Sequence, residues 1–345
     1  MQHRSGAEKA RFWYPYRTDS DKIKENRLIK KEESAMTGTV SVLSVILPVI
    51  VMIALGMLAR KKHLISQKGI DDIKSILMNI CIPALMFRTF YAADLTSKSA
   101  LAVILMFAVT LATFAIGRLF RKLFRIRYEM GRYLCTSIEG GMLGYALFTL
   151  LFGQENLYHF ALLDLGNALV LFPILMTRLR LRTENHVSGK DVARSMATPV
   201  NFAIAAGILI SVTGLGGVIQ STGSGAVLDA VLNFAGGPTG ALILIVVGYG
   251  LAFDQVPWPE TIRTVIARLI IYGAFGVLVV RIVRVLFPGD VMYLYGAVMA
   301  FIMPPSFAYT VYFREGEESA YAGAVLAVYT IFTIIGFCLV AASAL

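Results

Sequence analysis

The residues best suited to chemistry in this chain stand at two interruptions of apolar sequence. The first carries Glu139, Gly140, Gly141, Gly144 and Tyr145. The second carries Pro304, Pro305, Ser306 and Tyr309. A proline lacks a backbone donor and clashes with the preceding turn, at roughly 3 kcal/mol in a helix interior. Irregular backbone at membrane depth is tolerated only where protein or a water-filled cavity satisfies it. Half-helix N-termini exposed at such a break suit an anion, such as a carboxylate. One interrupted span alone reads as a proline kink or as glycines for close helix packing. Two at corresponding positions point to a solute site.

Glu139 is the sharpest of these residues, because an acid inside an apolar span costs about 2.5–3.5 kcal/mol on insertion scales. It can carry a proton, hold a cation such as sodium, or pair with a basic group of a solute. A water-filled interface or backbone donors would also satisfy it. Asp164 and Asn167 lie one turn apart on one helix face. They fit a cavity lining, with Asp164 a second candidate for proton or cation coupling and helix-end solvation its alternative role. Asn79 and Asn201 are weaker candidates. Tyr145, Tyr309 and Tyr312 flank the breaks, where they could close a cavity or bond a solute, although aromatics in membrane helices more often pack or mark interfaces.

No metal site, cofactor or catalytic constellation is expected. The four histidines lack ligand spacing, and there is no phosphate-binding loop. Cys81, Cys135 and Cys338 all fall in apolar segments and read as buried free thiols. The chain is therefore not expected to be an enzyme.

These residues need a membrane scaffold to position them. Of 345 residues, 57% are hydrophobic and 16% charged, with a mean hydropathy of +0.69. That composition indicates an all-α polytopic membrane protein. A bilayer core of about 30 Å takes about 20 apolar residues per helix. Ten spans are expected, near 39–59, 70–91, 99–119, 131–152, 157–178, 196–213, 225–252, 262–285, 291–312 and 320–343. The net charge of +10 lies between the apolar runs, so it reports orientation and not a nucleic-acid partner. Arg60–His63, Arg121–Arg127, Arg178, Arg180, Arg182, Lys190 and Arg194, and then Arg263 and Arg268, follow odd-numbered spans. Ten spans put them all in the cytoplasm and both termini outside. Arg281 and Arg284, near the opposite face, and the basic N-terminal tail resist that assignment.

The halves repeat. "LPVIVMIALGML" (47–58) matches "TPVNFAIAAGIL" (198–209), with Pro48 on Pro199 and Gly56 on Gly207. Pro83 in the second span answers Pro238 in the seventh. The glycine-rich fourth span answers the proline-broken ninth, and each precedes an acidic turn. Five spans per half make the second half enter from the opposite side, the inverted-repeat plan of secondary transporters, with helices 4 and 9 broken and crossing. Residues 1–37 read as a disordered tail or a mis-assigned start, 38–182 as the first repeat, 183–195 as a cytoplasmic linker and 196–345 as the second repeat.

The stretch "ILPVIVMIALGMLARKKHLISQKGIDDIKSILMNICIPALMFRTF" (46–90) resembles the opening of auxin efflux carrier family permeases. "TPVNFAIAAGIL", "GGPTGALILIVVGYGL" and "MPPSFAYTVYF" resemble parts of the family's second half. The resemblance spans about residues 40–343 and rests on order and spacing. It implies a fold similar to bile-acid/sodium symporters. Spans 1, 2, 6 and 7 would form a scaffold and homodimer contact, and spans 3–5 and 8–10 a mobile transport domain. An elevator-like movement and organic-anion substrates are implied. The fourth span departs from the family's usual N-x-G-x-x-G-x-P. Glu139 stands for the asparagine and Ala146 for the proline, while Gly141 and Gly144 are kept. An acid there repels a carboxylate unless it is protonated or paired with a cation. The expectation is a secondary transporter of small organic solutes, foremost organic anions, in a prokaryotic cytoplasmic membrane. A carrier of amine-containing solutes coupled to proton or sodium, and a non-transporting sensor on the same fold, are the alternatives.

Overall fold

The computed structural model describes residues 42–182, 188–251, 256–312 and 317–344. The tail at 1–37 and the linker residues 183–187 lie outside the described residues, as does the side chain of Tyr312. The described chain is helical, with no strand among the described residues. In order, the helices are α1 (Val42–Lys61), α2 (Gln67–Tyr91), α3 (Ser99–Leu123), α4 (Met130–Leu134), α5 (Gly140–Phe152), α6 (Leu157–Arg180) and α7 (Gly189–Met196). There follow α8 (Pro199–Val212), α9 (Leu215–Ser221), α10 (Gly223–Gly236), α11 (Thr239–Gly250), α12 (Trp258–Leu286), α13 (Val291–Ile302) and α14 (Glu317–Ala344).

Among the described residues, eight helical segments are long and apolar enough to cross a membrane, or nine if the pair α7 and α8, bent by 69°, is one span. The shortfall from ten lies in the fourth span. Helix α5 has only about 13 residues, or roughly 20 Å at 1.5 Å per residue, against a bilayer core of about 30 Å. Prolines inside α2 and α6 are absorbed without a break. Pro83 follows a π turn at Leu77–Cys81, and Pro173 sits within another at Leu171–Met176. The wider turn relieves the clash between the proline ring and the preceding carbonyls.

The heaviest packing falls into two sets. Helices α8 and α10 pack on α2, and α3–α6 pack with α12–α14. Helix α1 sits on α11, and α11 bridges the two sets, packing on both α2 and α5. Within the first set the sequence repeat has a physical counterpart. A Cβ on Gly56 of α1 would strike the Ile245 carbonyl and Tyr249 amide of α11. A Cβ on Gly207 of α8 would strike Phe90 and the Phe87 carbonyl of α2. Each half's first helix is thus seated on the other half's second helix through the same glycine. Both obstacles include backbone, which cannot swing aside. Gly56→Ala and Gly207→Ala should each lower stability by about 1–3 kcal/mol, read as a lower thermal midpoint in detergent. Unchanged midpoints would contradict this packing.

Contacts between connecting segments sort them into two faces. After the third span, the Arg127 amide donates to Glu260 and its guanidinium meets Glu317 at 3.4 Å, while Arg182 meets Glu318 at 3.6 Å. Arg60, ending α1, donates to the Tyr249 carbonyl at the end of α11. The segments after spans one, three, five, seven and nine are joined in this way. On the other side His159 meets Asp290 at 3.3 Å, Tyr293 bonds Ser99, and Ser211 donates to Ala93. One basic residue is misplaced by the sequence reading. Arg268 does not belong to a loop: it lies well inside α12 and is fully buried.

Candidate functional site

Two helices are interrupted where they meet. The fourth span runs as α4, a non-helical stretch over 135–139, and α5. The ninth runs as α13, a break over 303–306, and a 3-10 turn at Phe307–Tyr312. The Glu139 amide donates to the Pro304 carbonyl at 2.9 Å, so the two breaks touch through backbone.

The glycines of the fourth span are not the break, as expected from sequence, but the π-helical first turn that follows it. The residue that takes unusual backbone is Ser137, with φ of 64°. That left-handed conformation is costly for a non-glycine residue. The glycines supply space instead. A Cβ on Gly140 would overlap the Asp164 carboxyl group, and one on Gly144 would strike the Phe160 ring. Gly141 has nothing within 4 Å of that position and faces open space.

Breaking a helix orphans donors and acceptors that must be satisfied inside a membrane protein. Here they are accounted for by named groups. Glu139 Oε1 accepts from the Met142 amide at 3.0 Å. Its Oε2 accepts from the Phe307 amide at 2.5 Å and the Ser306 hydroxyl at 3.3 Å. One carboxylate therefore caps the starts of both following turns, where the partial positive charge of exposed N–H groups concentrates. Asn167 accepts from the Ile138 amide and donates to the Ile138 carbonyl. Thr333 donates to the Ile302 carbonyl at 2.6 Å. Arg268 donates to the carbonyls of Leu134, Ser137 and Met303 at 3.0, 2.8 and 3.0 Å. Tyr272 also donates to the Ser137 carbonyl, at 2.6 Å.

A cavity of about 460 Å³ opens beside this crossing. Its walls are mainly apolar, with Met78, Ile82, Leu165, Val246 and Leu326 among them. Its polar lining includes Glu139, Asp164, Asn167, Asn201, Ser306 and Lys74. Asp164 is 6% exposed, accepts from Tyr145 Oη at 2.8 Å and from Asn167 Nδ2 at 3.0 Å. Glu139 is 5% exposed. Among the described residues, neither carboxyl group forms a salt bridge. Lys74, at the cavity's edge, turns its Nζ to Asp71 at 3.2 Å. No group of three or more metal-ligating side chains occurs among the described residues.

Of the residues singled out from sequence, Glu139, Gly140, Gly141, Tyr145, Asp164, Asn167, Asn201 and Ser306 line this cavity. Gly144, Pro304, Pro305 and Tyr309 do not. Gly144 seats Phe160. Pro304 supplies the carbonyl of the crossing, and Pro305 is buried in the same break. Tyr309 is buried behind it, 2.8 Å from Ser137 Oγ. Asn79 points away, donating to the Ser75 carbonyl on an exposed helix face. Lys74 and Arg268 were missed as site residues. An arginine ten residues inside α12 was the available signal for the second.

A chain that is all-α among the described residues, with eight or more helices of membrane length there and two broken ones meeting over a mainly apolar cavity, is built as a multi-pass membrane protein. The family described as "Membrane transport protein" matches residues 41–215, just over half of the chain. The chain belongs to this family, that of the auxin efflux carrier permeases its motifs resemble. It is also similar to an "Uncharacterized transporter" of Methanothermobacter thermautotrophicus. The two are 26% identical over 219 residues, covering 60% of this chain and 67% of the relative.

Proposed function

We propose that the chain is a secondary carrier that moves one small organic solute at a time through the cavity beside the crossed helices. The observation that carries this reading is the backbone contact between Glu139 and Pro304, which sets both breaks against one cavity. The concentration of packing in two helix sets supports an elevator-like movement, with α3–α6 and α12–α14 shifting against α1, α2 and α8–α11 along the contact of α11 with α5. Exposed apolar side chains on α1 and α8, such as Leu47, Ile50, Phe202 and Leu209, suit lipid or a second copy of the chain. The segments that gather Arg60, Arg127 and Arg182 on one face suit the cytoplasmic side of a cell membrane. With ten crossings both termini lie outside.

The family resemblance suggests organic acids, but the cavity favours a solute with a protonated amine on an apolar body. Two carboxyl groups, Glu139 and Asp164, line the cavity, and every named partner of either is a neutral donor. With Lys74 turned to Asp71 at the edge, a solute carboxylate beside the ionised Glu139 and Asp164 would meet like charge at low dielectric, whereas an ammonium group would neutralise them. The N–H groups that an organic acid would use at the half-helix ends already serve Glu139.

Proteoliposome uptake of three isosteric solutes, a primary alkylamine, its carboxylate and its neutral amide, tests both levels of this reading. We expect gradient-dependent uptake of the amine and at least a tenfold weaker response to the carboxylate, the size of a single lost charge interaction of about 1.4 kcal/mol. Asp164→Asn should erase that preference. Uptake of the carboxylate alone would return the substrate to the organic acids. No uptake across broad amine and acid panels would leave a sensor on a carrier fold.

A further inference from the structure

Arg268 is among the largest fully buried side chains of the described residues, and its place is unusual for a cation. It forms no salt bridge among the described residues. Its planar group lies 3.8 Å from the Tyr272 ring centre and 4.8 Å from that of Tyr329, an arrangement that stabilises a positive charge on aromatic faces. Its terminal nitrogens reach three carbonyl oxygens, and each is one that a break has orphaned. Leu134 ends α4, Ser137 is the strained residue of the first break, and Met303 follows α13 in the second. In an unbroken helix these carbonyls would accept from the amides four residues on. Two of those amides are diverted, Ile138 to Asn167 and Phe307 to Glu139.

Carbonyls at unwound turns and half-helix C-termini carry partial negative charge, and in secondary carriers such groups commonly hold a coupling cation. We propose that Arg268 is a built-in cation for the crossing. Its guanidinium ties the carbonyl ends of both broken helices together, so this junction assembles without bound sodium. The assignment concerns the carbonyl side of the crossing only. It stands whatever the charge of the solute, because Arg268 does not line the cavity.

The guanidinium suits this task better than a metal ion of one charge. It presents donors in a fixed plane to oxygens from three separate backbone positions. It is also carried by α12, a helix packed on both α13 and α14. A junction held in this way cannot lose its cation when the surrounding solution changes. Arg268 is thus a positioning residue, acting on the solute only through the geometry of the two breaks.

Thermal unfolding of the purified protein in detergent, in sodium chloride against choline chloride at equal ionic strength, tests the assignment. The wild type is expected to unfold at the same midpoint in both salts. Arg268→Ala is expected to unfold several degrees lower in choline and to recover part of that loss in sodium or in low-millimolar guanidinium. Arg268→Lys keeps the charge but not the fork, so it should fall between the two and gain nothing from sodium. Specific stabilisation of the wild type by sodium would overturn the proposal. So would an Arg268→Ala midpoint equal to the wild type, or one that neither cation raises. If Arg268→Ala cannot be purified, Arg268→Lys decides. An intermediate midpoint indifferent to sodium supports the built-in cation, and a sodium response or failure to fold refutes it.

Discussion

Gly140→Ala should abolish uptake and lower stability, while Gly141→Ala, one residue on, should fold as the wild type does. The contrast follows from what each new methyl group would meet. At Gly140 it overlaps the carboxyl carbon and both oxygens of Asp164. That carboxyl group cannot simply turn away, because Tyr145 and Asn167 hold its two oxygens. Asn167 in turn holds the amide and carbonyl of Ile138 in the non-helical stretch. One methyl group therefore loosens a chain of bonds that reaches the crossing, at a cost of about 1–3 kcal/mol for overpacking and lost bonds. At Gly141 the methyl group meets nothing within 4 Å. Replacing a helical glycine there removes chain entropy from the unfolded state, a gain of up to about 1 kcal/mol. Midpoints of thermal unfolding for the two variants, with uptake beside them, check this directly. Equal behaviour of the pair would show that Asp164 does not lean on Gly140 in the working protein.

The same pair of glycines shows how far sequence reasoning reached. Composition and the spacing of apolar runs sufficed for the membrane class, because a bilayer imposes length and apolarity on every crossing. The order of motifs was enough to match Gly56 with Gly207, and the structure gives both the same packing task. The two interruptions were legible because glycine and proline are the residues that most readily break a helix. Which backbone is actually irregular was not legible. Ser137 carries the left-handed turn, and no local rule selects a serine for it. Its conformation is imposed by Arg268 and Tyr272, which lie more than 130 residues away and bond its carbonyl. Arg268 looked like one more positive charge after the seventh span. Its role depends on α12 passing behind both breaks, a tertiary fact without a sequence period. Asn79 failed for the opposite reason. Its polar side chain is satisfied by its own helix at Ser75, so polarity alone did not mark a cavity.

Glu139 is where local and long-range information meet, and its replacement by glutamine should have the second large effect. Sequence marks it as an acid out of place. Structure shows it accepting from Met142 in its own segment and from Phe307 and Ser306 across the crossing. A carboxylate can accept at both oxygens, whereas the glutamine amide offers one acceptor and one donor of the same shape. In Glu139→Gln the amide nitrogen must face either the Met142 amide or the Phe307 amide, leaving a buried donor against a donor. Such an unmade bond costs about 1–3 kcal/mol, more when the lost acceptor was charged. The crossing is expected to loosen, with a lower unfolding midpoint and loss of amine uptake. Glu139→Asp keeps the charge on a shorter arm. It should retain the cap on Met142 and lose the reach to Phe307, and so separate the effect of charge from that of the bridge. If amine uptake follows charge, Glu139→Asp keeps more of it than Glu139→Gln. If it follows the bridge, the two variants fail alike, and Glu139 is then a strut between the broken helices, leaving Asp164 as the carboxyl group that meets the solute. Wild-type midpoint and uptake in Glu139→Gln would remove both roles.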